Sequence, residues 1–232
     1  MFFAGSYLTI VLSLGYRYDF RTWSFVHTGS FRVVANTGAD VYVNDKRSGA
    51  MSFLGNSFSK SRLLPRIYGV RLQREGYVPW YKNIQIQEGF FTDIPKIVLL
   101  PQHLQSEVVA TASFGFPMPD DRIREARGRY LEFDDRSITV TWTDSTSYQP
   151  FKKPGDQSLI VTMSTKIEDV QWYRDHDHIL VSSGGKLYFY EIDTRGGLNS
   201  YELSPIAGPF WYDGNENAVF MLENREIIKM QL

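Results

Sequence analysis

From Gly29 to Pro101 the chain alternates apolar and polar residues in short runs separated by turn formers. In "ADVYVN", Val41 and Val43 fall on one face and Tyr42 on the other, the period of two of a half-buried strand. "SFRVVA" precedes it across a turn at Asn36–Gly38. "NDKRSG" follows as a hairpin, since Asn44 and Asp45 tolerate the left-handed backbone that tight turns need. In "RIYGVRLQREGY", Tyr68, Val70 and Leu72 share a face while Arg71 and Gln73 point the other way. "NIQIQEG" sets Ile84 and Ile86 inward and its glutamines outward, and "DIPKIVLLP" ends the series. This spacing predicts five or six strands in a small β-sandwich over residues 26–102, with no strand–helix alternation.

The second half carries a repeat. "WYRDHDHILVSSGGKLYFYEID" from Trp172 and "WYDGNENAVFMLENREIIKMQL" from Trp211 align without gaps at an offset of 39 residues. Each gives a Trp-Tyr pair, a polar turn, an apolar strand, a second turn and another strand. "YLEFDDRSITVTWTD" is an earlier, weaker copy of the last two strands. A period near 40 with this content resembles β-propeller blades, although the Trp-Asp dipeptide of the WD type is missing. Residues 129–232 hold about two and a half such blades, an incomplete propeller-like antiparallel module, where closure needs about four. Residues 103–128 read as a linker, "FGFPMPDDRIREARG" having two prolines and a charge cluster, with Asp120 placed to cap one or two helical turns through Arg127.

No charge falls between Phe2 and Tyr16. Fifteen helical residues rise only about 22 Å, against a hydrocarbon core of roughly 30 Å. A buried core segment would satisfy the same pattern, whereas a cleaved signal lacks both its basic start and its small-residue site. The favoured expectation is an uncleaved membrane anchor over residues 1–22, extended through Tyr18 and Phe20, with Arg17 and Arg21 at the interface. Those arginines follow the apolar run, and cations favour the cytoplasmic side, so the orientation stays open.

Composition narrows the classes further. Aromatics make up 15% of the chain, with 14 Tyr, 16 Phe and 5 Trp, which together with frequent Val, Ile and Thr favours β structure. The formal net charge of −1 supplies no long-range field for nucleic acid. Without cysteine there is no disulfide, thiolate nucleophile or cysteine-bound metal.

The first β module resembles a PEGA domain, a bacterial module named after the turn between its first two strands. Gly38 and Ala39 match that quartet, and Asn36 and Thr37 stand where the family has Pro and Glu. Also matching are "VYVNDKRSG", the "LLP" and Tyr68 of "LLPRIY", "REGYVPW" with Gly76, Tyr77 and Trp80, and the closing "VLLP" of Val98 to Pro101. The family's Thr-Pro after the first hairpin is replaced by Ala50-Met51, and its Gly after "LLP" by Arg66. "GYRYDF", Gly15 to Phe20, is similar to the segment after the N-terminal helix of PEGA-containing bacterial membrane proteins. The resemblance implies a module outside the cytoplasmic membrane on a single-pass anchor, often followed by a propeller-like region. Within it Gly38, Ala39, Asn44, Asp45 and Gly76 read as structural turn residues rather than ligands.

Candidate chemistry is sparse. His176 and His178 in "RDHDHI" have a spacing metals can use on a strand, but the repeat aligns them with "DGNENA", which makes them a solvated hairpin turn. "DGNEN" lacks the sixth-position Gly and the distant Glu of a calcium loop. A basic run, Lys60, Arg62, Arg66, Arg71 and Arg74, lies beside Tyr68, Tyr77 and Trp80. It reads first as a solvated sheet face with Arg stems over aromatic rims, and second as a site for acidic glycan rather than nucleic acid. No nucleophile elbow, phosphate loop, dinucleotide fingerprint or zinc motif occurs, so no catalytic, cofactor or metal residues are assigned.

The expectation is therefore an all-β, non-enzymatic protein: an N-terminal hydrophobic helix in the cell membrane, a PEGA-like sandwich and propeller-like repeats. It would act as a surface scaffold or binding module for cell-wall glycan or an envelope protein, with Trp80, Tyr81, Arg71 and Arg74 as the contact surface. An unfinished propeller leaves a sheet edge free for a second copy of the chain. Two alternatives stand beside it: a glycan-processing enzyme whose carboxylates meet only in the fold, and a soluble cytoplasmic interaction module.

Overall fold

A computed structural model describes residues 2–111, 124–206 and 208–232. The chain is all-β and divides into two units, Met1–Leu99 and Leu100–Leu232.

The first unit opens with helix α1, Phe2–Ser13. It stops because Gly15 takes φ +88°, the left-handed conformation that ends helices, and its N–H bonds the Leu12 carbonyl at 3.3 Å. Strand β1 (Tyr16–Asp19) follows at once and pairs with β2 (Ser24–His27). This overturns the expected anchor. Twelve helical residues rise about 18 Å, and no helix among the described residues is long and apolar enough to cross a membrane. Tyr18 lies on the hairpin and Phe20 at its turn instead of extending a helix. Arg17 does not snorkel: it donates to the Arg62 carbonyl at 3.0 Å. The single-pass, membrane-localised reading is thereby corrected.

Seven more strands build the body of this unit: β3 (Gly29–Ala35), β4 (Asp40–Val43), β5 (Lys46–Ala50), β6 (Ser57–Leu63), β7 (Ile67–Gln73), β8 (Trp80–Gln85) and β9 (Phe91–Ile97). They form two sheets, ordered β6-β3-β9 and β5-β4-β7-β8, with β3 and β9 parallel. Phe31, Val33 and Ile94 from the first sheet and Val41, Val70, Leu72, Trp80 and Ile84 from the second share one apolar cluster. Alternation places these residues, each large side chain contributing about 1.5–3 kcal/mol of burial. Strand β6 is the one the apolar pattern misses. It is an edge strand in which Phe58 and Leu63 alone are large and apolar, the rest being Ser, Lys and Arg.

The second unit consists of three four-stranded antiparallel sheets. Its strands are β10 (Ser106–Thr111), β11 (Glu125–Ala126), β12 (Arg129–Phe133), β13 (Ser137–Trp142), β14 (Gln157–Thr162), β15 (Ile167–Trp172), β16 (His178–Ser183), β17 (Lys186–Glu191), β18 (Ser200–Pro205), β19 (Phe210–Asp213), β20 (Ala218–Glu223) and β21 (Glu226–Gln231). Two sheets are sequential, β11 to β14 and β15 to β18, while the third runs β10-β21-β20-β19. Its first and last strands thus meet, Ser106 opposite Met230. The expected linker accordingly supplies β10 and β11. Of the expected helical turns, Asp120 lies outside the described residues. Glu125 and Ala126 are strand, and Arg127 and Gly128 make a tight turn at φ +49° and +71°.

The repeat is present with a different register. Trp172 faces Ile179 and Tyr212 faces Val219; His178 faces Glu191 and Ala218 faces Gln231. Each pair maps onto the next at an offset of 40, not 39. The matching turns, Gly184-Gly185 and Asn224-Arg225, are all left-handed. Aligning Trp172 with Trp211 is a one-residue slip, which exchanges sheet faces. Trp172 is indeed core, whereas Trp211 is partly exposed and stacks on Phe220 at 4.2 Å.

Candidate functional site

The outward face of the sheet β5-β4-β7-β8 carries the most developed surface of the first unit. Val41, Val43, Val70 and Leu72 point inward, so Tyr42, Arg71 and Gln73 must point outward. Register then sets one row across all four strands. Arg47 is opposite Tyr42, Tyr42 opposite Arg71, and Arg71 opposite Tyr81. Cations and aromatics alternate along it. The Arg71 guanidinium lies 4.3 Å from the Tyr42 ring centroid and donates to Gln73 Oε1 at 2.6 Å. Arg47 bonds Asp40 at 2.8 Å, and the carboxylate beside it raises the guanidinium's pKa above its ordinary value.

Tyr81 lies along the sheet because Gly69 leaves room for it. A Cβ on Gly69 would stand 2.8 Å from the Tyr81 hydroxyl oxygen and 3.3 Å from its Cε2. The hydroxyl is fixed by donating to Asn83 Oδ1 at 2.8 Å. Tyr81 remains 49% exposed and so accessible to a ligand. Gly69 is in turn clamped by Asn44, whose Oδ1 accepts its N–H at 2.9 Å and whose own N–H bonds its carbonyl at 2.8 Å. Next to the row, Ala39, Asp40, Tyr42, Gln73, Arg74 and Glu75 line an open groove of about 430 Å³.

Of the expected contact residues, the fold brings Arg71 and Tyr81 together. Trp80 is not among them. It is 1% exposed and belongs to the core, because neighbours on a strand face opposite sides. Arg74 lines the groove while stacking on Tyr77 at 4.8 Å and donating to Thr37 Oγ1 and the Gly38 carbonyl, so it ties two loops together. The other members of the basic run disperse: Lys60 bonds Ser48, and Arg66 pairs with Asp19 at 3.1 Å.

Among the turn residues, Asn44 and Asp45 are left-handed at φ +49° and +62°, and Gly76 at +75°. Ala39 packs against the core. Gly38 is not left-handed, and a Cβ there would make an ordinary 3.7 Å contact with Asn56. Tyr42, Gly69, Gln73 and Asn83 were missed as site residues. Alternation marked Tyr42 and Gln73 as outward, but the row and the Gly69 recess exist only in the strand register.

The turn at "RDHDHI" forms, but His178 is not solvated. It is 2% exposed, with Nδ1 2.7 Å from Asp175 Oδ2 and its ring stacked 4.9 Å from Phe189. The cause is β16, every residue of which is buried. Nearby, buried Arg129 pairs with Asp177 at 2.8 Å and donates to Tyr148 Oη at 2.8 Å and to the His176 carbonyl. These bonds hold the β13–β14 loop and leave a cavity of about 20 Å³, room for one water. Among the described residues no group of three or more His, Asp or Glu could hold a metal ion.

No protein-family model matches the chain, and no curated protein is found to match it.

Proposed function

We propose that the chain is a non-enzymatic scaffold whose first unit is a PEGA-like sandwich that binds glycan on the outward face of β5-β4-β7-β8. One observation carries this reading: Tyr81 reaches over Gly69 with the hydroxyl end of its ring, half exposed, directly opposite Arg71. The C–H face of a pyranose rests on such a ring, while Gln73, Asn83 and Arg71 offer polar groups to its hydroxyls. An open sheet face of this kind holds a polymer without enclosing a bond for cleavage. Bacterial wall glycan fits that chemistry.

The PEGA-like reading is supported by where the matching motif falls. "VYVNDKRSG" supplies β4, the left-handed Asn44-Asp45 turn and the start of β5. The second unit fits a propeller-like array of three blades. Its support is the offset of 40 and the joining of first and last strands in one sheet.

The experiment is co-sedimentation of the full chain with insoluble glycans, including purified wall sacculi. Retention of the wild type, and at least a tenfold loss in Tyr81→Ala with an unchanged melting profile, is the expected result. Equal retention of both proteins removes the sheet face from the account.

A further inference from the structure

The charge beside Tyr81 narrows the class of glycan, and this step rests on the glycan-binding reading above. Arg71 stands on the strand next to Tyr81, about 4.8 Å away in the hydrogen-bonding direction. Its guanidinium is held from two directions, by the Tyr42 ring and by Gln73 Oε1. Only one of its five N–H donors is used by Gln73. No carboxylate among the described residues pairs with it, and the nearest outward acid on the row's own strands, Asp40, is taken by Arg47 at 2.8 Å. The face thus presents an oriented, unneutralised fork at the edge of a stacking surface.

Covering that charge with a neutral sugar would strip its water and return nothing ionic. A carboxylate in the same place takes two parallel N–H bonds, each shorter and stronger than a neutral one. A dense polyanion fits less well. Asp40 and Glu75 line the adjoining groove, and they repel a backbone that carries a charge at every step.

We propose that this face selects a carboxylate-bearing sugar, its pyranose ring on Tyr81 and its carboxylate in the fork of Arg71. Uronates and sugars with an acidic ether substituent belong to this class.

The test uses the full chain and a panel of polysaccharides whose carboxylates are spaced along the backbone by neutral sugars: hyaluronan, unsulfated chondroitin and gellan. Each is paired with its carboxyl-esterified neutral form, and affinity is read by titration calorimetry. The wild type should bind at least one acid tenfold or more tightly than its ester, with that excess falling as salt rises. Arg71→Gln should lower the acid to the level of the ester, while Tyr81→Ala should weaken both. The acid–ester comparison on the unmutated protein needs no variant to fold. Equal binding of acid and ester overturns the selectivity and leaves the platform standing. Binding of no member of the panel, together with no retention on sacculi, overturns both.

Discussion

The ring of Tyr81 lies across Gly69, so close that a Cβ at position 69 would stand 2.8 Å from its hydroxyl oxygen. Gly69 is not in a left-handed conformation, so the backbone accepts an L side chain and the Tyr81 ring must give way. Gly69→Ala should therefore behave as a binding variant with its tyrosine intact. We expect stability within about 1 kcal/mol of the wild type, since alanine costs a strand less entropy than glycine, and glycan retention reduced to the level of Tyr81→Ala. Thermal melting beside co-sedimentation checks both halves.

Asn44 is expected to matter for stability through the same glycine. Its side chain accepts the Gly69 N–H at 2.9 Å while its backbone sits at φ +49°. Asn44→Ala loses the acceptor and forces alanine into left-handed space, each worth about 1 kcal/mol, so a loss of about 2 kcal/mol is expected. Asp45→Gly, at φ +62°, should be neutral or stabilising by up to about 1 kcal/mol. Urea denaturation midpoints measure both.

In the second unit, Arg129 is 2% exposed and ion-paired with Asp177 at 2.8 Å. Arg129→Met leaves that carboxylate without its cation and should cost about 3–5 kcal/mol. Adding Asp177→Asn should recover part of the loss. A double-mutant cycle by chemical denaturation gives the coupling directly.

Asp19 sets a pH dependence. The Arg21 backbone N–H at 3.0 Å holds its carboxyl below the ordinary value of 3.8, outweighing the opposing effect of burial, and the Arg66 guanidinium adds to the lowering. A depressed folded pKa contributes stability that is present above the unfolded value and lost as pH falls through the folded one. The melting difference between the wild type and Asp19→Asn should thus be full at neutral pH and close at pH values below about 3.8. A series of melts between neutral and strongly acidic pH tests it.

Much of the first unit was legible because a period of two is local. Val41, Tyr42 and Val43, and likewise Val70, Arg71 and Leu72, fall on the faces their order dictates. The same rule would have buried Trp80 once Ile84 was taken as inward, but the strand was begun too late at Asn83 to include it. What stayed hidden depends on distant partners. The row from Arg47 to Tyr81 needs the register of four strands, and β10 finds β21 more than a hundred residues later. The apolar start misled because helix length is decided by its stop signal: Gly15 ends the helix before the tyrosines that would have extended it. The offset of 39 arose from matching two Trp-Tyr pairs, whereas hairpin geometry fixes the register by its turns.

The most direct measurement is a residue-resolved map of glycan contact by heteronuclear NMR on the isotope-labelled full chain, titrated with acidic oligosaccharide. The account predicts shift changes concentrated at Tyr42, Gly69, Arg71, Gln73, Tyr81 and Asn83. Changes confined to residues of the second unit, or none at saturating oligosaccharide, would contradict it.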